Sequence, residues 1–377
     1  MQQSLTILQT NPTAFTQILT SVDKAQKSII VSLYSLHADT VGLRLLSALE
    51  AAAARGLEVL VMLDAIGSMS LSKEMIERLH KAPLHFRFFN PLALKKGFYM
   101  GRRLHQKLIV IDSQKLWLGG ANIGDPYFGT LLNSPNWLDF VVELQHPATH
   151  SMHVYLQALF YKRPFSRNQK RISKRAFTYG TANLRFKIND WWKGYLQITD
   201  SYRKAIRSSK QSILCMHSYF FPSTRMLRLL KKQARLGKRV VLILPGMSDM
   251  RLQQYATESL YLELLEANIE LYEWRISVLH SKLLLVDASY ISLGSYNLHF
   301  TSRFFNLEAN LEINSQEQGQ ALEHRITTEI LPQCLKVTKD LYNLQRASWF
   351  RRFTRLYSYV LMRVLHLVFV REATKKR

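Results

Sequence analysis

Apolar and polar positions along this chain follow one pattern twice. Lys27-Ser28-Ile29-Ile30-Val31-Ser32-Leu33-Tyr34 is a short β-prone run, and helical spacing follows it through Ala54-Arg55-Gly56. The run Val59-Leu60-Val61-Met62-Leu63-Asp64 then closes the unit. About 180 residues later, Gln211-Ser212-Ile213-Leu214-Cys215-Met216 leads into a helical pattern through Ala234-Arg235-Leu236-Gly237 and ends in Val240-Val241-Leu242-Ile243-Leu244. Short apolar strands without polar alternation suit a sheet buried on both faces. Each half therefore predicts strand, helix, strand, an α/β architecture in pseudo-repeat.

A second repetition carries chemistry. His105-Gln106-Lys107 precedes Leu108-Ile109-Val110-Ile111-Asp112 and, later, Gly119-Gly120-Ala121-Asn122. His280-Ser281-Lys282 precedes Leu283-Leu284-Leu285-Val286-Asp287 and then Gly294-Ser295-Tyr296-Asn297. In both copies Lys stands two, Asp seven and Asn seventeen positions after the His. A lone His-x-Lys is common and a lone Gly-Gly is usually a turn, but eight matching positions at fixed offsets are not coincidence. His and Lys two apart share one face of a strand. The glycines permit close approach of backbone or substrate. Two imidazoles, two ammonium groups and two amides suit a phosphate: Lys107 and Lys282 as point charges, Asn122 and Asn297 as donors, and His105 and His280 for covalent and proton-transfer work. Ser295 adds a hydroxyl. Asp112 and Asp287 have two readings, members of the catalytic set or holders of local backbone.

His-x-Lys-x4-Asp in duplicate, each followed by Gly-Gly/Ser-x-Asn, resembles the phospholipase D superfamily over Lys27 to Ile313. Arg102-Arg103-Leu104 before His105, Trp137-Leu138-Asp139-Phe140, and Ser302-Arg303 with Asn306-Leu307-Glu308 resemble its cardiolipin synthase-like branch. Leu138 and His146 depart from that branch's pattern, so the resemblance leaves the exact lipid open. It implies two phospholipase D-like α/β sandwich domains with a shared active site at their interface. It further implies phosphoryl transfer without metal or other cofactor, with His105 as nucleophile forming a phosphohistidine and His280 as general acid and base. Asp139 and Glu308 match the family carboxylates that orient the histidines.

Charge then separates the partners. The chain has 377 residues, 51 Lys+Arg against 27 Asp+Glu and a net charge of +24, which argues for a polyanion: nucleic acid or an anionic membrane. Residues 162–187 hold nine basic residues and no acid, and 346–377 hold nine with Glu372 the one acid. In the second stretch Phe353, Tyr357, Val360, Leu361, Val364, Leu367 and Val368 share one helical face, opposite Arg352, Arg355, Arg363 and His366. That pattern predicts an interfacial helix, apolar face in the acyl boundary and arginines at head groups, with packing on the body as the alternative. Nucleic acid is disfavoured, since phosphate contacts there need no large apolar side chains. Lys95, Lys96, Arg102 and Arg103, among Leu92, Leu94, Phe98, Tyr99 and Met100, form an expected lip for a lipid phosphate.

Two cysteines, Cys215 and Cys334, exclude a disulfide framework and a cysteine zinc cluster. The N-terminus lacks a signal-peptide pattern, and the stretch from Leu356 to Val370 is shorter than the about 20 apolar residues a span needs. The expected organisation is a domain over 1–165 with the first motif, a basic connector over 166–188, a domain over 189–345 with the second, and the amphipathic tail over 346–377. The expected function is a cardiolipin synthase-type phosphatidyltransferase acting on phospholipids at the cytoplasmic face of the cell membrane, with no obligate protein partner inferred. The alternatives are a hydrolytic phospholipase D or a phosphatidylserine synthase, then a phosphodiesterase nuclease, and last a non-enzymatic lipid-binding protein.

Overall fold

The apolar runs that open and close each half are parallel strands joined by a helix. The computed structural model describes residues 3–91, 102–131, 135–163, 177–179, 181–345 and 349–375. The chain begins β1 (Ser4–Gln9), α1 (Pro12–Asp23), β2 (Ser28–Leu33), α2 (Thr40–Ala54), β3 (Glu58–Asp64), α3 (Lys73–Lys81) and β4 (His85–Phe89). It continues with β5 (Arg103–Leu104), β6 (Lys107–Ile111), β7 (Lys115–Gly119), α4 (Asp125–Phe128), β8 (Phe140–Gln145), α5 (His150–Phe160), β9 (Phe177–Tyr179) and β10 (Ala182–Asp190). Then come β11 (Tyr195–Leu196), α6 (Gln197–Ser208), β12 (Ser212–His217), α7 (Thr224–Arg235), β13 (Arg239–Pro245), α8 (Arg251–Glu258), α9 (Tyr261–Glu266) and β14 (Glu270–Trp274). The last elements are β15 (Lys282–Val286), β16 (Tyr290–Gly294), α10 (Phe300–Phe304), β17 (Asn306–Asn314), α11 (Gln316–Arg325), β18 (Cys334–Val337), α12 (Lys339–Gln345) and α13 (Trp349–Lys375).

Two compact units result. The first holds residues 1–188 with 293–296 and 306–312; the second holds the rest. Within the first, the strand order is β1-β8-β7-β6-β2-β3-β4. β2 pairs in parallel with β3, Ile30 opposite Leu60, and antiparallel with β6, Ile30 opposite Val110. All six residues of β2 are buried, so both sheet faces are covered, as unbroken apolar runs require. Phe15, Leu45 and Leu49 from α1 and α2 pack with Val31, Leu63 and Trp117 from the sheet.

The second unit repeats this plan in the order β16-β15-β12-β13-β14-β18. β12 pairs in parallel with β13, Leu214 opposite Val241, and antiparallel with β15, Leu214 opposite Leu285. The crossover helices match in their ends as well. Asp39 caps α2 through the Gly42 N–H at 3.0 Å, and Ser223 caps α7 through the Met226 N–H at 3.4 Å. Gly56 and Gly237, at φ of +89° and +84°, follow their C-termini in the left-handed region that glycine adopts without strain.

Most of the connector's basic residues, and the lip residues from Leu92 to Met100, lie outside the described residues. The described part of the connector is strand, in β9 and β10. Arg103 corrects the lip: it is buried, donating to the Asn90 carbonyl at 2.8 Å and pairing with Asp64 at 3.4 Å. Arg102 lies with its guanidinium 5.3 Å from the Phe89 ring centre.

The C-terminal helix uses both faces. Phe353, Leu356, Tyr357, Val360, Val364 and Leu367 are each about half or more exposed, between 48% and 62%. Arg355, Ser358 and Met362 are buried. Arg355 donates from Nε to Glu258 on α8 at 2.8 Å, with its guanidinium 5.2 Å from the Tyr342 ring centre. Arg363 lies 4.8 Å from the Phe221 ring centre. The apolar face is thus outward, but Arg355 and Arg363 are not directed at head groups; they hold α13 to its own unit. Desolvating an arginine is favourable only against a partner charge or ring, and Glu258, Tyr342 and Phe221 supply them. No helix among the described residues is long and apolar enough to cross a membrane.

Candidate active site

In the first unit, β5 delivers His105 to β17. Asn306 pairs with Arg103 and Leu307 with Leu104 in parallel, and the Leu307 carbonyl accepts from the N–H groups of His105 and Gln106 at 3.0 and 2.9 Å. Asp64, at the end of β3, accepts the Leu104 N–H at 2.7 Å. Burial pushes the Asp64 carboxyl upward, which Arg103 and three backbone N–H donors oppose. The chain on both sides of His105 is therefore fixed by backbone bonds.

His105 Nδ1 lies 2.9 Å from Oε2 of Glu308, which is fully buried. Ser295 Oγ and Asn306 Nδ2 also donate to this carboxylate, at 2.5 and 3.1 Å. Burial alone would raise Glu308, but His105, Lys107 and the Ser295 hydroxyl outweigh it and hold the carboxyl below its ordinary range. The carboxylate thus comes from the segment after the second motif and serves the histidine of the first. Lys107 Nζ donates to the His105 carbonyl at 2.7 Å and lies 5.2 Å from the Tyr34 ring centre. The Tyr34 ring meets His105 edge-on at 5.1 Å. Asn122 Nδ2 donates to Tyr127 Oη at 3.2 Å, while its buried Oδ1 has no partner.

The second unit carries the other copy. Lys282 Nζ lies 2.7 Å from His280 Nδ1 and 3.3 Å from Nε2, and also donates to the His280 carbonyl. Ser218 Oγ donates to Asn297 Oδ1 at 2.8 Å, and the Tyr219 ring stands at 83° to His280. His217, opposite Lys282 in the ladder, is fully buried with neither ring nitrogen partnered. Burial, with Lys282 beside it, pushes its pKa down to about 3.

Glycine is demanded by backbone approach at both motifs. A Cβ on Gly119 would stand 2.6 Å from the Phe140 carbonyl oxygen, and one on Gly294 2.3 Å from that of Ala309. The Gly120 and Ser295 N–H groups bond those same two carbonyls, so Asp139, before Phe140, corresponds to Glu308, before Ala309.

Asp112 and Asp287 both hold local backbone. Asp112 accepts the N–H groups of Gln26, Lys27 and Ser28 at 2.9, 2.7 and 3.0 Å; Asp287 accepts those of Lys210, Gln211 and Ser212 at 2.8, 2.7 and 2.9 Å. Each stands at the far end of a strand from its histidine, about 20 Å away at ~3.3 Å per residue. They anchor the starts of β2 and β12 through these bonds. Burial raises the Asp287 carboxyl, and the three N–H donors outweigh it and bring it below the ordinary range.

Sequence reasoning missed Asp64, Gln106, Tyr34, Tyr219 and His217. Gln106 donates to Ser32 at 2.9 Å and accepts from Tyr155 at 3.3 Å, locking the residue between His and Lys. A signal existed for Asp64, which ends an otherwise apolar run; the tyrosines and His217 lie where the two repeats differ.

Two α/β units, each presenting His-x-Lys at a strand start with a glycine-backed Asn nearby, define a phospholipase D-type protein. The chain belongs to the family whose model is described as "Cardiolipin synthase, PLD-like domain", which matches residues 18–151 and 202–329. Cardiolipin synthase B of Escherichia coli (strain K12) is 29% identical over 350 residues, 91% of this chain and 84% of that protein. A cardiolipin synthase of Clostridium perfringens (strain SM101 / Type A) is 28% identical over 347 residues, 87% of this chain and 70% of that protein. Among solved structures, phosphatidylserine synthase of Haemophilus influenzae Rd KW20 shares the fold with a TM-score of 0.72 at 16% identity, covering 94% of this chain and 95% of that one.

Proposed function

We propose that the chain is a cardiolipin synthase-type phosphatidyltransferase, moving a phosphatidyl group to the hydroxyl of a phosphatidylglycerol and releasing a small alcohol. The observation that carries the mechanism is the pairing of His105 with the buried Glu308 carboxylate. His105 gives Nδ1 to the Glu308 carboxylate, so its Nε2 carries the lone pair that attacks phosphorus. His280, as the imidazolium, is the general acid for the leaving alcohol and becomes neutral when it gives up its proton. In the first step the bond from His105 Nε2 to phosphorus forms, the bond from phosphorus to the alcohol oxygen breaks, and the alcohol takes the His280 proton. In the second step the acceptor hydroxyl gives its proton back to His280 and displaces His105. Lys107, Lys282, Asn122 and Asn297 hold the phosphoryl oxygens, the unmet Asn122 Oδ1 marking an amide that reverses to donate to an oxyanion. Asp139, the counterpart of Glu308, is the second histidine-orienting carboxylate. The exposed apolar face of α13 rests in an anionic bilayer, giving a peripheral protein at the cytoplasmic face.

Labelled phosphatidylglycerol in vesicles, with chelator present, tests this. Cardiolipin with released glycerol is the expected product. Phosphatidic acid alone would make the chain a hydrolase, and cleavage of DNA or RNA without lipid turnover would overturn the lipid reading.

A further inference from the structure

A second charged surface lies apart from the C-terminal helix and the connector. Residues 224–239, covering α7 and the start of β13, hold seven basic residues and no acid. Of these, Arg225, Arg228, Lys232 and Arg235 are exposed and make no ion pair or hydrogen bond among the described residues. Their spacing of three, four and three places them on one stripe of α7, about 15 Å long at ~1.5 Å per residue. Lys231, off the stripe, differs: it pairs with Glu263. The neighbouring helix α6 packs on α7 and exposes Lys204 and Arg207. Its acid, Asp200, pairs with Arg203 at 3.5 Å.

Such a row is unfavourable for the isolated protein, because like charges three and four apart on a helix repel. The described residues supply these four no counter-charge, so the geometry points to an external one. We infer that the α7 stripe, extended by Lys204 and Arg207, is a docking surface for an anionic lipid bilayer. This goes beyond the proposed reaction and rests on it only in the choice of lipid as the polyanion. Two features favour a bilayer over single-stranded nucleic acid. Tyr202 is the one aromatic residue of the two helices and is buried, so no ring is presented for bases to stack on. Leu236, at the end of the stripe, is 60% exposed and offers an apolar contact beside the cations.

The full-length protein carrying R228Q and K232Q tests the inference by sedimentation with vesicles of phosphatidylcholine, alone or mixed with phosphatidylglycerol. Each cation near an anionic surface strengthens binding about fivefold. The double variant should therefore bind mixed vesicles about 25-fold more weakly at low salt, and the difference should shrink as salt is raised. Its turnover of phosphatidylglycerol in detergent micelles should equal that of the unmodified protein, since neither residue belongs to the site. The melting temperature should stay level or rise, because two repelling charges have gone, which separates lost docking from lost folding. Equal binding of both proteins to mixed vesicles would overturn the inference. So would loss of affinity for a short DNA duplex with vesicle binding intact. Vesicle binding is read without catalysis, so an inactive protein that binds through the stripe would sink the proposed reaction and leave this surface standing.

Discussion

His217 offers the most quantitative prediction. Its imidazole is fully buried on β12, opposite Lys282 and near Tyr202, and its pKa is pushed down to about 3 from 6.5. Folding therefore selects the neutral ring. Below pH 6.5 the unfolded chain takes a proton that the folded chain refuses, so stability is full above that pH and falls as pH drops toward 3. Between pH 7 and pH 5 the loss from this residue alone is about 2 kcal/mol, a sizeable part of a total of about 5–15. In the first repeat the corresponding position is Leu33, one beyond Ser32 in the ladder, so His217→Leu fits the local plan. The variant should be at least as stable at pH 7, because two unmet nitrogens are removed. Melting curves of both proteins at pH 7 and pH 5 check this. The unmodified protein should lose about 4–8 °C more than the variant over that interval. Parallel curves would refute the claim that His217 is neutral because it is buried.

Glu308→Gln keeps the shape of the residue but removes the charge that holds His105; kcat should fall by about two to four orders of magnitude with the melting temperature little changed, as steady-state kinetics and calorimetry would show. Asp287→Asn should do the reverse, lowering stability by about 2–4 kcal/mol in urea titrations while kcat at low temperature stays level. Because the Asp287 carboxyl lies below its ordinary range, its stabilisation is complete above about pH 4 and disappears as pH falls through the folded value. Arg355→Ala should destabilise the second unit by about 3–5 kcal/mol in urea titrations, since it leaves Glu258 buried without its charge partner. Phe353→Ser together with Leu367→Ser should weaken vesicle sedimentation about tenfold or more at unchanged melting temperature, both side chains being 60% exposed.

What could be read from the sequence was whatever the repeat made redundant. β2, β3, β12 and β13 follow from unbroken apolar runs, and α2 and α7 end at Gly56 and Gly237 because one periodicity stops in both places. The histidines, lysines and glycines were legible from doubled spacing, and the Cβ distances at Gly119 and Gly294 give that spacing its physical reason. Asp112 and Asp287 hold backbone at that same spacing, and a backbone anchor repeated in every unit is indistinguishable by offset from a catalytic group. Glu308 could be read as a histidine-orienting carboxylate, but not as the partner of His105, because the pairing of β5 with β17 joins segments about 200 residues apart. Direction was equally hidden on α13: a helical wheel gives the two faces, and only Glu258 and Phe221 reveal that Arg355 and Arg363 turn toward the body of their unit.

The central claim is that His105 takes the phosphatidyl group in covalent form. Protein quenched in base during turnover of phosphatidylglycerol, then digested and analysed by mass spectrometry, tests it directly. A phosphatidyl adduct on the peptide containing His105, absent from His105→Asn, is the predicted result; an adduct on His280, or cardiolipin formation with no adduct on either histidine, would contradict it.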